Sequence, residues 1–398
     1  MNRIVHFSTG VMRMGMRMGV RAGTQKRWLA THAETPAATT TGDGKTLLEK
    51  ALNAPPKNTW TKDEISSIYN TPLMELTYAA ATLHRKHHPH NTVQTCTLLS
   101  IKTGGCTEDC SYCAQSSRYS TGLTATKLST LETVMAAARE AKANGSTRFC
   151  MGAAWRDMSG RTRGLERIKD MVREVRGLGM EVCVTLGMLN SKAAEELKGA
   201  GLTAYNHNLD TSREFYPKVI TTRGFDERLQ TIENVRNAGI SVCTGGILGL
   251  GETAEDHVSF LHTLSTLPEH PESVPINALV PIKGTPLGEN KKVPFDSFLR
   301  VVATARILMP GSIVRLAAGR INLTEEQQVL AFFAGANAVF TGERMLTTEC
   351  SGFEADRRLF EKWGLVNMKA FRGEENEGAE VVAEASRSGK VEEVIERV

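Results

Sequence analysis

The sequence predicts an α/β fold, a (β/α)8 TIM-type barrel with an N-terminal helical extension. Three observations predict it. From Thr97 onward, eight short β-branched runs alternate with eight amphipathic segments. Cap residues open several of the helical segments and glycines close others. The 398 residues, 41% of them hydrophobic, suffice to bury a large core. Such alternation makes a parallel sheet, open or closed. Eight strands favour the barrel over an open doubly wound sheet.

The elements follow in order. Residues 59–90 read as the helical extension, ending near His87-His88-Pro89-His90, whose histidines read as a polar loop rather than a metal site. The first strand is expected at 97–101 (Thr-Leu-Leu-Ser-Ile). Helix 130–143 opens on Thr130, ahead of Glu132, and closes at Gly145. Strand 147–152 precedes helix 164–177, which closes at Gly179. Strand 180–186 precedes helix 191–199. Strand 203–209 precedes helix 225–238, closed by Gly239. Strand 240–247 precedes helix 253–266, and strand 274–280 precedes helix 296–308. Strand 312–318 precedes helix 324–334, where Thr324 caps ahead of Glu325 and Glu326. Strand 337–341 and helix 353–362 complete the count. Residues 59–371 therefore form the barrel domain with its extension.

The ends differ in composition. Residues 1–33 carry Arg3, Arg13, Arg17, Arg21, Lys26 and Arg27 and no acid. That leader reads as a mitochondrial targeting peptide, with cleavage near Arg27–Ala30; a basic tail without an address is the alternative. Without those six charges the formal net charge of +4 turns mildly negative, leaving no nucleic-acid footprint. No apolar run is long enough for a membrane span. Residues 34–58, rich in Thr, Ala, Gly and Pro, read as linker, and the Glu-rich residues 372–398 as a solvated, partly disordered tail. Eight cysteines in a large chain with such a leader point to metal ligation or catalysis, not a disulfide framework.

Cys106-x3-Cys110-x2-Cys113 puts three soft sulfur ligands on one loop, with no fourth at a matching spacing. Thiolates select Zn, Cu(I) or iron–sulfur clusters. A structural zinc site takes four ligands, and a cubane iron–sulfur cluster usually takes four thiolates. Three leave one iron open to a small molecule, which points to a catalytic cluster at the barrel mouth. Cys150, Cys183 and Cys243 each fall mid-strand on a different strand. Singly, each is a small buried hydrophobe; with one parity on each strand, all three enter the lumen and converge on a second metal centre. Asn206, Asn208 and Asp210 share a face at period two, a polar stripe that suggests ligand recognition. His207 falls on the opposite face and reads as outward packing. Arg315, on the seventh strand, needs an anion: a cluster, a carboxylate or a structural salt bridge. The run Gly245 to Glu252 lacks dinucleotide spacing but lets a backbone approach a flat ligand.

The triad with Tyr112 before its last Cys resembles the signature of radical S-adenosylmethionine enzymes. The wider context resembles the biotin synthase family: Ser100 to Cys106, Ala114 to Tyr119, Arg148 to Trp155, Tyr205 to Asp210, Ile220 to Arg223, Val242 to Glu252 and Val314 to Arg320. It spans about residues 60–365. The resemblance implies a 4Fe–4S cluster on Cys106, Cys110 and Cys113, and a 2Fe–2S cluster on Cys150, Cys183, Cys243 and Arg315. It implies S-adenosylmethionine against Tyr112, Ala153, Asn208, Asp210, Arg228, Gly245, Ile247, Gly249 and Glu252. Dethiobiotin is expected at Asn206, Asn208, Asn277 and Thr347. Sulfur from the 2Fe–2S cluster would enter between C6 and C9 through radical chemistry borne by the cofactors, with no catalytic side chain. Partners implied are a ferredoxin- or flavodoxin-type electron donor, iron–sulfur assembly machinery and a second copy in a homodimer, in the mitochondrial matrix. After Leu346-Thr347-Thr348 the family commonly continues Pro-Asn; Glu349-Cys350-Ser351-Gly352 departs from it and puts the substrate lid in doubt. Met151-Gly152-Ala153-Ala154 replaces the Gly-Gly-Glu of many radical enzymes. Cys96 and Cys350 match no cluster position. Alternatives are a single-cluster radical enzyme acting on another substrate, and a non-catalytic iron–sulfur protein.

Overall fold

The computed structural model describes residues 46–371. The leader (1–33) and the acidic tail (372–398) lie outside the described residues. Helix α1 (Leu47–Asn53) falls inside the stretch expected as linker at 34–58. Thr46 opens it with a capping box: Thr46 Oγ1 accepts from Glu49 N, and Glu49 returns to the Thr46 N–H, satisfying two orphan donors of the first turn. Averaged composition hides a helix of seven residues. α2 (Lys62–Tyr69), capped likewise by Thr61, and α3 (Leu73–His87) form the expected extension. His88 to His90 form the expected loop before β1, with His87 and His90 exposed. His88 is buried, with Nε2 2.9 Å from the Pro310 carbonyl oxygen and His84 stacked beside it.

Eight parallel staves then close on themselves. They are β1 (Thr92–Lys102), β2 (Arg148–Ala153), β3 (Glu181–Thr185), β4 (Ala204–Asn206), a fifth stave split into β5 (Ser241–Cys243) and β6 (Gly246–Leu248), β7 (Ser273–Ala278), β8 (Ile313–Leu316) and β9 (Ala338–Thr341). β9 pairs back onto β1, from Gln94 opposite Ala338 to Thr97 opposite Thr341, and that pairing makes a barrel instead of an open sheet. The connecting helices are α4 (Leu131–Ala143), α5 (Thr162–Gly177), α6 (Ser191–Gly199), α7 (Phe225–Asn237), α8 (Ala254–Ser265), α9 (Phe295–Leu308) and α10 (Glu325–Phe333). α5 shows why they dock. Leu165, Ile168, Met171, Val172 and Val175 recur at three and four residues and are all buried; each such side chain contributes about 1.5–3 kcal/mol relative to exposure.

Three staves differ most from the expected strands. β1 begins at Thr92, five residues ahead of the expected 97, since Thr92 and Val93 pair with the last described strand and Gln94 to Thr97 pair with β9. β4 ends at Asn206, three residues short of the expected end, and beyond it the chain turns at Asp210, which has a left-handed backbone conformation (φ 69°). The fifth stave breaks at Thr244 and Gly245. Pro275 of the neighbouring β7 has no N–H to give the ladder there, and a Cβ on Gly245 would collide with the Pro275 carbonyl. After β9 come a hairpin of β10 (Arg344–Met345) and β11 (Thr348–Glu349), helix α11 (Phe353–Trp363), and β12 (Val366–Asn367), which pairs with Thr92 and Val93 at the start of β1. Strands of two residues have no period for a sequence to display.

α11 is tied to the loop after β8 by a buried bidentate pair. Arg320 Nη1 and Nη2 donate to Asp356 Oδ1 and Oδ2, both at 2.7 Å. Arg320→Ala leaves Asp356 buried and unpaired, so unfolding free energy is expected to fall by about 3–5 kcal/mol. Urea denaturation followed by circular dichroism measures it. A loss below about 1 kcal/mol would place the pair among solvated surface bridges.

Candidate active site

The loop leaving β1 carries Cys106, Cys110 and Cys113 over the C-terminal mouth of the barrel. Backbone bonds shape it: Cys106 N donates to Gln115 O at 3.0 Å, Ser117 N to Cys106 O at 2.7 Å, and Cys113 N to Cys110 O at 2.9 Å. Two acids between the cysteines tether it to the segment before α7. Asp109 accepts from the Thr221 and Thr222 N–H groups at 3.0 and 3.2 Å and from the Thr222 hydroxyl at 2.9 Å. Burial raises its carboxyl, but these bonds outweigh burial and hold it at about 2. Glu108, buried, pairs with Arg223 at 3.0 Å and Arg156 at 3.1 Å. Sequence reasoning missed these tethers. The available signal was two acids inside a loop that binds through sulfur, where carboxylates have no ligand role.

The sulfurs are thus left free to bind. Burial chiefly raises all three thiols, Cys113 to about 11, so they stay protonated near neutral pH until a metal displaces the protons. Among the described residues no three His, Cys, Asp or Glu side chains close around a single ion. A cubane does not need that, because each thiolate takes its own iron.

Beside the loop lies a buried charged knot. Asp210 Oδ2 accepts from Arg228 Nη2 at 2.7 Å and from the Tyr112 hydroxyl at 2.9 Å, and Arg228 Nε donates to Tyr216 at 2.7 Å. Asp tolerates the left-handed turn better than most residues. It is fixed there by Asp210 N donating to Gly245 O and Ile247 N donating to Asp210 O. Burial and the Asp210 charge push the Tyr112 phenol far up, so it remains a neutral donor. Burial opposes the charge on Arg228, but Asp210 outweighs it and Arg228 stays cationic. His207 is not an outward packing residue. It is buried at the cavity wall, and burial, Arg228 and Arg223 push its imidazole far down, leaving it neutral.

Deeper in the lumen, the strand cysteines share one parity. Cys150 stands directly opposite Cys183 in the β2–β3 ladder, and Cys243 stands opposite Asn206 and Ser273. The hydrogen bond from Cys183 lowers the Cys243 thiol; burial opposes it, and Arg315 and Arg148 add to it. Arg315 is fully buried, and its partners are uncharged acceptors: Cys96 Sγ at 2.8 Å, the Val339 carbonyl at 3.2 Å and Gln94 Oε1 at 2.6 Å.

One cavity of about 320 Å3 joins the two levels. Its wall includes both cysteine sets and Arg315, and also Tyr112, Ala153, Asn206, Asn208, Asp210, Arg228, Ile247, Asn277 and Thr347. Three expected site residues are not on that wall. Gly245 presses on Pro275. Gly249 donates its N–H to Glu252 Oε1 at 2.7 Å, and Glu252 also meets His257 at 3.0 Å. Burial raises the Glu252 carboxyl, yet the His257 and Gly249 bonds hold it below its usual value. The close approach expected of the glycine run is thus made to protein at Gly245 and Gly246, which packs on Asp210 and Phe260. Asn277 is partly spent, donating to Gly246 O at 2.8 Å and accepting from Ala318 N at 3.0 Å. Met345, Leu346, Thr347 and Thr348 of the β10–β11 hairpin line the cavity, while Glu349, Cys350, Ser351 and Gly352 of the departing stretch are not on its wall.

The donor chemistry fits iron–sulfur clusters and a polar cofactor. Soft thiols stand at two levels of one cavity, and Asn208 Oδ1 at its wall is fully buried without a partner, a cost that a ligand donor removes.

Comparison with known proteins agrees. Residues 100–264 match the radical SAM superfamily, and residues 275–366 match the biotin and thiamin synthesis associated domain. The chain is 64% identical over 330 residues to the mitochondrial biotin synthase of Emericella nidulans, covering 83% of this chain and 84% of that one. It is 60% identical over 325 residues to the biotin synthase of Schizosaccharomyces pombe, covering 81% and 90%. For the mitochondrial biotin synthase of Saccharomyces cerevisiae the identity is 55% over 352 residues, covering 86% and 94%. Among solved structures, a methylornithine synthase aligns with a TM-score of 0.68 at 20% identity, covering 81% of this chain and 98% of that one. The FeFe-hydrogenase maturase of Carboxydothermus hydrogenoformans aligns at 0.67 and 18%, covering 81% and 78%. Those two carry the fold.

Proposed function

The chain belongs to the biotin synthase family, and on that premise we propose how its residues divide the work. The reaction is insertion of sulfur between C6 and C9 of dethiobiotin to give biotin, with S-adenosylmethionine and iron–sulfur clusters as cofactors and an external electron donor. In our reading Cys106, Cys110 and Cys113 hold a 4Fe–4S cluster with one open iron. Cys150, Cys183, Cys243 and Arg315 hold a 2Fe–2S cluster below it. When bound, the upper cluster supplies the electron that cleaves S-adenosylmethionine to a radical, and the lower supplies sulfide.

The protein's own task is orientation and exclusion of water. Tyr112, Asn208, Asp210 and Arg228 form a rigid, pre-charged wall for S-adenosylmethionine. Ala153 and Ile247 supply its apolar side. Gly245, Gly249 and Glu252 act at one remove, by shaping the turn that carries Ile247 and anchors Asp210. Asn206, Asn208, Asn277 and Thr347 orient dethiobiotin between the two levels, and the Met345–Thr348 hairpin closes over it. The observation that carries this reading is the single cavity lined by both thiol sets and a buried Arg with no carboxylate partner in its hydrogen bonds.

Residues 1–33 are proposed to direct the chain to the mitochondrial matrix. There a ferredoxin- or flavodoxin-type donor and the iron–sulfur assembly machinery would serve it, as a homodimer. The test of the function is direct. The full chain, reconstituted anaerobically with iron and sulfide, receives reductant, S-adenosylmethionine and dethiobiotin. Mass spectrometry is expected to find 5′-deoxyadenosine and biotin. Absence of 5′-deoxyadenosine from a cluster-loaded sample would overturn the enzymatic reading.

A further inference from the structure

The lower site contains a fourth thiol that the proposed ligand set does not use. Cys96 is fully buried on β1. It sits two residues before Leu98, on the same face, and Leu98 lines the cavity opposite Cys150. The thiols stand close together: Cys150 is directly opposite Cys183 in the ladder, and Cys243 faces the same lumen. Cys96, Cys150 and Cys183 also share one packed cluster with Ala204. Cys96 does not itself line the cavity; Arg315, which does, sits on it, with Nη1 2.8 Å from Sγ.

We propose that Cys96 is a further sulfur ligand of the lower iron–sulfur site, able to take the iron position that Arg315 otherwise fills. This rests on the two-cluster reading above and extends it. The thiol lies directly behind the guanidinium tip, 2.8 Å from Nη1, so removal of the guanidinium opens the thiol to iron held at the cavity wall. Their chemistry differs sharply. A guanidinium is protonated, carries five donors and no acceptor, and ligates only after losing a proton. A thiolate is the usual ligand of iron in such clusters. A buried Cys that merely fills space packs as a small hydrophobe. This one receives a cation's N–H and clusters with two of the proposed ligand thiols, Cys150 and Cys183. Gln94 holds the arrangement: its Oε1 accepts from Arg315 at 2.6 Å, while its Nε2 donates at 3.1 Å to Glu181, which Arg148 pairs at 2.7 Å. Arg315 therefore acts as a cover. With it in place the site is three thiols and a nitrogen, and without it the site is four thiols.

The test isolates the lower site in the full chain by the substitutions Cys106→Ala, Cys110→Ala and Cys113→Ala, followed by anaerobic reconstitution with ferrous iron and sulfide. Three proteins are compared: that background, the background with Arg315→Ala, and the background with Arg315→Ala and Cys96→Ala. Iron and acid-labile sulfide per chain are counted, and Mössbauer and resonance Raman spectra are recorded. The first two are expected to hold about two irons, and in the second the iron sites become equivalent and thiolate-bound. Adding Cys96→Ala is expected to lower iron retention about tenfold. Equal iron in the second and third proteins overturns the proposal, as does a folded second protein that binds none. A background protein that binds no two-iron cluster overturns the two-cluster reading, and this proposal with it. Arg315→Met, which keeps most of the side-chain volume, replaces Arg315→Ala if the alanine variant does not fold.

Discussion

Cys110→Ala is expected to abolish formation of both 5′-deoxyadenosine and biotin, a loss of at least about 10^4-fold, because the cofactor carries the hard step and the chain has no side chain to replace it. The fold is expected to survive. The ligand loop takes its shape from Asp109 on Thr221 and Thr222, from Glu108 on Arg223 and Arg156, and from backbone bonds between Cys106, Gln115 and Ser117. None of these involves the Cys110 sulfur. Cys110 is also small, so its truncation removes little packing. Circular dichroism and thermal unfolding of the metal-free variant should therefore match those of the metal-free wild type, while the iron count of the reconstituted protein drops by about four. A variant that loses iron and fold together would show that the sulfur has a structural role this geometry does not contain. A variant that still makes 5′-deoxyadenosine would remove the triad from the chemistry.

Much of the barrel and of its cysteine sites is legible in the sequence, and the rest is not, for physical reasons. Strand and helix periodicity carries the barrel, and the spacing of Cys106, Cys110 and Cys113 carries soft-metal chemistry. The shared parity of Cys150, Cys183 and Cys243 was one of two open readings, since a strand's period says which residues share a face but not which face looks inward. Only closure of β9 on β1 decides it. His207 was misread for a related reason. Alternation holds only while the strand lasts, and β4 stops at Asn206. The break in the fifth stave needs Pro275, about 30 residues away in the chain, so no local window displays it. The tethers of the cysteine loop, Asp109 to Thr221 and Glu108 to Arg223, likewise join segments more than a hundred residues apart. Cys96 matches no motif in the sequence. Its relation to Arg315 exists only once the first and seventh predicted strands are brought round the same lumen.

Cys150→Ala is expected to separate the two halves of the reaction. Biotin should fall at least about 10^3-fold, while 5′-deoxyadenosine formed from S-adenosylmethionine, reductant and dethiobiotin stays within about twofold of wild type, as expected for sites that do not share partners. The two thiol sets have no hydrogen bond to one another. The upper loop is held from the α7 side, and the lower thiols are held by ladder positions on β2, β3 and β5. Alanine in place of Cys150 keeps the strand and its opposition to Cys183, and removes one sulfur from the lower set. Dethiobiotin would still meet Asn206, Asn277 and Thr347, none of which bonds to Cys150 in this structure. Loss of both products together would mean that the lower site governs the upper, through the cavity floor or through substrate position. Retention of biotin formation, with an unchanged ultraviolet–visible spectrum and an iron count fitting one cubane, would mean that the strand cysteines only pack. The sulfur would then have to come from outside the protein, and the reason for a buried Arg315 among thiols would need to be sought elsewhere.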